Sequence, residues 1–493
     1  MASKKHPHVC TNHKDASHRY LKNSLIAGFL TLIWLLFRSG TKPSRILYPC
    51  QRAAATYTLY SVGALIFPIF SLKLNIEDLF KSKKKILSLV AVIGLVLIIW
   101  NINLLNNSNN TGTSGDIDLG KDNLVIENTV KNPTSSIYVI QNTVGEYNGT
   151  KALIDLMEKN GLPFYKTTDN NGLISSEDVI LIKVNSQWNE RGGTNTDLVK
   201  SLIQLLTEHP DGFNGEIIIC DNGQAQFGSN MTGGSLNWRY NNAEDKSQSM
   251  QKVVDQFSNK YKVSTFLWDD ITENKVKEYL EGDYKDGYIV YTNPDQYTGI
   301  IVSYPKFKTK YGTYISFKHG VWIEAYKEYD SNKLKIINVP VLKSHRGYGV
   351  TASVKNYMGV VSDKLTNHNA HNSVGNGSMG TQMAETRVPT LNIIDAIWIN
   401  AIPRDGPSTS YNKATQTKII AASIDPIALD YWSAKNILIP ASKEIGYSNV
   451  NSLDPDYKQS GSFGSWLLLS KEALNRAGYN YTIDIEKIRV YLD

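Results

Sequence analysis

Cysteine is scarce in this chain. Only Cys10, Cys50 and Cys220 occur among 493 residues, and no two form a C-x-x-C pair. That excludes a zinc ribbon and a built-in iron–sulfur cluster, both of which need clustered thiolates. Only Cys220 lies beyond residue 103, so the larger part of the chain has no internal disulfide. A disulfide-free domain is compatible with either side of a membrane. Acidic residues are also unevenly spread. Residues 1–103 hold 3 Asp and Glu against 14 Lys and Arg, whereas the remainder holds 43 against 38. The mild acidity of that remainder excludes nucleic-acid backbone binding as its main task. There is no internal repeat.

The basic residues of the first part flank apolar runs, which is a membrane pattern. Residues 1–22 read as a cytoplasmic tail and 23–103 as a membrane region. Spans are expected near 23–37, 54–72 and 86–103, with Pro68 kinking the second. "KSKKK" (Lys81–Lys85) precedes the last run, and an uncharged polar stretch follows it. The positive-inside rule then predicts a multi-pass protein of the cell membrane, with the lipid bilayer as a partner and an extracytoplasmic C-terminal domain. No small-residue cleavage site follows the first run, which argues against a signal peptide. "GTKPSRILYPCQ" between the first two runs is either a tight loop or a contact site using Arg45, Tyr48 and Cys50. Residues 104–134, rich in Asn, Ser, Thr and Gly, read as a flexible linker.

Residues 135–493 alternate short apolar runs with helical patterns. "SIYVIQN", "DVILIKVN", "GEIIICDN", "VSTFLWDD" and "LKIINVPVLKS" read as buried strands. "GTKALIDLMEKNG", "TNTDLVKSLIQLLTEH" and "DKSQSMQKVVDQFSNKY" read as helices. The alternation predicts an α/β fold with a largely parallel sheet and flanking helices, preceded by N-terminal transmembrane helices. "ISFKHGVWIEAY" reads as a hairpin, which would make that sheet mixed.

Ligands of such sheets bind beyond the carboxyl ends of the strands. Three strand ends carry polar residues there: Lys183 and Asn185, Asp221 and Asn222, and Lys343 and His345. Compact ammonium groups at Lys183, Lys343 and Lys355 suit a carboxylate or phosphate, unless each merely pairs with a surface acid. His345 has the pKa range of a general acid/base and the donor atoms of a metal ligand. Lys355 and Asn356 fall in a short helix after the Gly347–Gly349 loop, whose helix start would offer backbone N–H groups to an anion. Asp221 reads as a metal ligand with Asn185 or as the start of the "DNGQ" turn. Asp425 is an N-cap with Pro426 at the first helical position. Asp430, one turn later, faces either the cleft or solvent. "GNGSMG" (Gly375–Gly380) fits G-x-G-x-x-G, but no strand precedes it, so it is not a dinucleotide site. With His368 and His371 it reads as a loop lacking a third metal ligand.

Three blocks together resemble the DUF362 family. They are "VILIKVNSQWNERGGTNTDLVKSLI" with its Lys-x-Asn strand end, "INVPVLKSHRGYGVTASVKNYMG" with Pro-x-x-Lys-x-His and Lys-Asn-x-x-Gly, and "SIDPIALDYWSAKNIL" with Asp-Pro-x-Ala-x-Asp. The resemblance implies one α/β domain over most of 135–493. Many relatives carry a cysteine-rich iron–sulfur segment, and this chain has none. The family supplies candidate positions without a reaction.

The expected site is a basic cleft for an anionic small molecule or cell-envelope component. Lys343 and His345 are the candidate proton carriers, and Lys183, Asn185, Lys355 and Asn356 the candidate binding residues, with Asp221 and Asp430 as further candidates. A non-catalytic envelope binding or scaffold protein, or a membrane-complex subunit, remains an open alternative. Metal and cofactor are left undetermined by the sequence.

Overall fold

The computed structural model describes Val130 and residues 132–223 and 234–493. The three expected spans and most of the linker lie outside the described residues. Among the described residues no helix is long and apolar enough to cross a membrane.

The body is built on one ten-stranded mixed sheet. Its strands are β1 (Ser135–Ile140), β2 (Val179–Lys183), β3 (Glu216–Asp221), β4 (Val263–Leu267), β5 (Leu334–Asn338), β6 (Val341–His345), β7 (Gly349–Thr351), β8 (Leu391–Asn400), β9 (Thr415–Ser423) and β10 (Ile488–Leu492). The order is β10-β1-β9-β8-β5-β2-β3-β4, with β6 beside β8 and β7 beside β6. The run from β8 to β4 is parallel, whereas β9 is antiparallel to both its neighbours. The expected parallel core is therefore present, and its mixed character comes from β7 and β9.

The hairpin expected at Ile315–Tyr326 lies elsewhere. Its strands, Tyr314–Ser316 and Gly320–Ile323, belong to a second, antiparallel sheet of five strands inserted between β4 and β5. "LKIINVPVLKS" likewise makes two strands where one was expected. Pro340 has no N–H to give the ladder, and the chain steps sideways there. The Val339 N–H still reaches Lys183 O at 2.8 Å, and Pro340 O accepts from Asp395 N at 2.8 Å. This step moves the chain from its place beside β2 to a place beside β8, carrying Lys343 past the end of β5.

Alternation along the strands assigns two faces. Ile180, Ile182, Ile217 and Ile219 share one core with α1 (Tyr147–Lys159), α2 (Thr196–Thr207) and α3 (Met250–Asp255). Val179, Leu181, Ile218 and Ile336 share the other with the second sheet and with helices of the C-terminal third. Both faces are covered, which is why the strands read as continuous apolar runs. The helix expected over "DKSQSMQKVVDQFSNKY" spans only six residues, and it begins at Met250 because the Ser249 side chain caps it by accepting Lys252 N at 3.2 Å.

Lys183 lies on the second face, and so do its lateral neighbours. The cross-strand row is Cys220, Lys183, Asn338, Asn392 and Ser423. All are buried. An apolar sheet thus ends in a polar row that must satisfy itself. Asn338 Nδ2 donates to Asn392 Oδ1 at 2.9 Å and to Ser353 O at 3.1 Å, and Asn338 Oδ1 accepts from Asn356 Nδ2 at 2.7 Å. Asn338→Ala would leave several buried groups unpaired at once. It should destabilise the protein by about 2–4 kcal/mol, read as a lower denaturation midpoint with an unchanged slope. A loss below about 0.5 kcal/mol would show that the row is not a structural connection.

Candidate functional site

A cavity of about 460 Å³ opens at the carboxyl end of the parallel strands. Its walls come from the segment after β2, the end of β3, the β6–β7 hairpin and α4 (Ser353–Asn356) with the turn behind it. Lys183, Asn185, Asp221, Lys343, His345, Lys355 and Asn356 all line it. Seven of the eight residues singled out in the sequence therefore meet in one place.

The eighth, Asp430, does not. It is fully buried in α7 (Pro426–Ser433), and faces neither cleft nor solvent. Its carboxylate accepts Ser353 N at 2.7 Å and Val354 N at 2.9 Å, capping α4 from another helix. The expected anion site at the start of that helix is therefore already taken, by a protein carboxylate. Burial pushes the Asp430 carboxyl up to about 7. Asp425 caps α7 itself, accepting Ile427 N and Ala428 N at 2.9 Å, with Pro426 in the first turn.

The lysines are more buried than surface snorkelling would allow. Lys183 is 0% exposed, Lys343 1% and Lys355 6%. Lys183 Nζ lies 2.7 Å from Asp221 Oδ1 and donates to Asn356 Oδ1 at 2.7 Å and Val184 O at 2.9 Å. Two hydrogen bonds and one ion pair thus engage the ammonium. Asp221 Oδ2 accepts from Ser186 N at 2.6 Å. Asn185 donates to Asn356 Oδ1 at 2.6 Å and accepts from Val341 N. Asp221 and Asn185 thus serve Lys183 and Asn356, which replaces the metal-ligand reading. Among the described residues no group of three or more His, Cys, Asp or Glu is placed to hold a metal ion.

Gly359, the last residue of Lys-Asn-x-x-Gly, packs directly on this ion pair. A Cβ there would collide with Asp221 Oδ1 and Lys183 Nζ. Gly359 O also accepts Asn222 N at 3.1 Å, tying the turn to the end of β3. Close approach to a buried charge, rather than an unusual φ, accounts for glycine at this position.

Lys343 Nζ donates to Gly192 O. Lys355 Nζ lies over the Tyr348 ring, 5.0 Å from its centroid. Both ammonium groups are pushed down to about 7. Burial is the main cause, followed by the Lys355 charge for Lys343 and the Lys183 charge for Lys355. His345 is pushed well below its ordinary value by burial, then by Lys355, Lys343 and His371. Its Nδ1 accepts Gly347 N at 3.1 Å and Tyr348 N at 3.2 Å, so the neutral ring carries its proton on Nε2.

Gly347 and Gly349 belong to the tight β6–β7 hairpin, where a loop leading into a helix was expected. Lys343 pairs with Thr351 and His345 with Gly349 across it. Gly349 has φ +79°, and a Cβ there would strike Ser452 O, so the hairpin needs glycine.

The segment expected as a loop around "GNGSMG" is largely helical, with α5 (Asn369–Ser373) and α6 (Ser378–Glu385). It contributes a residue that sequence reasoning set aside. His371 lines the cavity, and its Nδ1 meets Asp363 Oδ2 at 2.8 Å. His368 Nδ1 meets the same oxygen at 2.8 Å from a more exposed position. The Asp363 side chain is 0% exposed. Burial works to raise its carboxyl, but hydrogen bonds from His371 and His368 prevail and hold it below the usual range. A buried carboxylate orienting an imidazole is an acid/base arrangement. The signal was Asp363 five and eight residues before the two histidines, across a helix start that hides the proximity.

The fold and site define a covered α/β protein with a lysine-lined cleft at its carboxyl strand edge. Residues 308–435 match the family described as Domain of unknown function (DUF362). The resemblance holds over this stretch, which contains the Lys343 and Lys355 signatures and both Asp425 and Asp430; the Lys183 block lies outside it. No curated protein and no solved structure matches the chain.

The depressed lysines set a pH signature. The unfolded chain keeps lysine protons to roughly pH 10, whereas the folded protein releases two from about pH 7. The unfolded state then binds more protons in that window, so stability rises with pH across it. The melting temperature of the unliganded full chain should increase between about pH 7 and 9.5. Lys343→Met and Lys355→Met should each flatten that rise; an equal rise in both variants would assign it to other groups.

Proposed function

We propose that this protein binds an anionic small molecule or cell-envelope component in the cleft, and that the cleft's acid/base groups act on it. One observation carries the reading. Lys183, Lys343, Lys355 and Arg346 line one cavity in which Asp221 is the one acidic residue among the described lining. Asp221 is committed to Lys183. Lys343 and Lys355 are held by burial and by lysine charges at the edge of ionisation, and an arriving anion would relieve them.

Lys343 and Arg346 would meet the anion. Lys183 is fixed by its ion pair with Asp221 and its hydrogen bonds to Asn356 and Val184, and serves to hold the cleft wall in place. Neutral His345 would donate from Nε2, and His371, oriented by Asp363, would exchange protons with the bound molecule. A binding or scaffold role in the envelope has its own support, since the nitrogens of both Lys183 and Lys343 are already tethered to protein oxygens. Turnover of a bound anion would separate the two.

Calorimetry of the full chain with inorganic phosphate tests the binding. Lys343→Met keeps the side-chain volume and should weaken phosphate binding at least about tenfold, the effect of losing one charge-assisted hydrogen bond. Lys343→Arg should restore binding, because arginine carries the same positive charge. Undiminished affinity in Lys343→Met would remove the cleft from the reading.

The envelope setting rests on the basic "KSKKK" run before the last apolar segment. We place the body outside the cytoplasm, anchored by the N-terminal region. A periplasm-type alkaline phosphatase fusion at Asp116 should be active and a cytoplasmic reporter silent. The reverse pattern would exclude an envelope ligand.

A further inference from the structure

The three cavity lysines are chemically unequal. Lys183 makes two hydrogen bonds and an ion pair with a carboxylate. Lys343 donates to a carbonyl oxygen. Lys355 Nζ, although buried, meets no hydrogen-bond acceptor and no carboxylate among the described residues; its neighbour is the Tyr348 ring. A buried ammonium needs acceptors, whereas a neutral amine needs none and keeps a lone pair. The α4 backbone fixes the side chain's base, because Asp430 clamps Ser353 N and Val354 N and Asn356 is locked into the asparagine row. The result is an unengaged amine on a rigid wall of a cavity lined by other cations.

We propose that Lys355 is a nucleophile that forms an imine with a small carbonyl compound bearing an anionic group, of the 2-oxo acid class. The inference rests on the anion-binding reading: Lys343 and Arg346 would hold the carboxylate, and the adjacent carbonyl carbon would meet the Lys355 amine. Burial and the Lys183 charge keep much of that amine neutral near pH 7, which is the reactive form.

The step balances without an oxidant. The amine lone pair forms a C–N bond as the carbonyl π electrons move to oxygen, and a proton passes from nitrogen to that oxygen. The C–O bond then breaks, the oxygen leaves as water after taking a second proton, and the C=N bond forms. His345 and His371, which both line the cavity, are the available proton carriers. The protonated imine then draws electrons from the neighbouring carbon, so the reaction class is making or breaking a C–H or C–C bond there.

Pyruvate, with lactate as its carbonyl-free counterpart, tests this on the full chain. The protein is incubated with pyruvate near neutral pH and reduced with cyanoborohydride, and the modified lysines are mapped by peptide mass spectrometry. Modification of Lys355 should exceed that of exposed Lys151 and Lys277 at least about tenfold, since an ordinary lysine is overwhelmingly protonated there. Lactate should suppress it, and Lys355→Arg should abolish the adduct while Lys151 and Lys277 react as before. Mapping the unsubstituted protein keeps the test decisive if the variant folds poorly. An adduct on Lys343, or one spread evenly over surface lysines, overturns the proposal. If lactate or phosphate binds by calorimetry yet Lys355 is never trapped, the imine is wrong and the anion reading stands. If neither anion binds, both fall.

Discussion

A positive charge buried at the end of a central strand is the constraint around which this structure is arranged. Lys183 is fully enclosed, in the middle of a parallel sheet, where an uncompensated ammonium would be prohibitively unstable. Asp221 supplies the opposite charge from the neighbouring strand, and Asn356 and Val184 supply the remaining acceptors. Each of these partners comes from a different part of the chain, so satisfying one side chain fixes three segments. The Lys-Asn-x-x-Gly turn reaches the pair closely enough that only glycine fits at its end. Breaking such a pair by removing one partner is much costlier than never having built it, which makes Lys183 and Asp221 an obligate couple.

From that couple a line of amides runs across the sheet. Asn185 and Lys183 both donate to Asn356 Oδ1, Asn356 joins Asn338, Asn338 joins Asn392, and Asn392 reaches Ser423 O at 3.3 Å. Asparagine carries both donors and an acceptor on a short side chain, so a chain of them can pass satisfaction from strand to strand. The line links the cavity to the antiparallel strand β9, which leads into Asp425 and α7. Asp430 on that helix then returns to cap α4, beneath Lys355. The backbone beneath Lys355 is therefore held by a closed circuit of polar contacts, and the depression of Lys343 and Lys355 follows from their burial and from the neighbouring lysine charges.

Much of this was legible in the sequence. The strands β1 to β4 and helices α1 and α2 follow directly from apolar runs and helical spacing, because both sheet faces are covered and burial dominates those residues. The convergence of Lys183, Asp221, Lys343 and Lys355 was also readable, since parallel strands share one carboxyl edge. Asp430 was not. Its role depends on a helix about 75 residues downstream lying beneath a one-turn helix, and neither periodicity nor composition encodes that contact. His371 was missed for a related reason: it sits just ahead of a polar, glycine-rich stretch that resembles a loop, although residues 374–385 pack against the C-terminal helix Phe463–Arg476.

Sequence alone determined which residue types stand at the strand ends, that a parallel α/β sheet carries them, and that no thiolate-held cluster is available. These are properties of local pattern and composition, and they survive any arrangement of the loops. Only the tertiary structure decided how the charges are used. It paired Lys183 and left Lys355 without an acceptor among the described residues, although each is a lysine shortly followed by an asparagine in the sequence. It gave Asp430 to a helix cap and Asp363 to His371. A charge's behaviour depends on its solvent exposure and on partners within a few ångströms, and those are set by contacts between segments far apart in the chain.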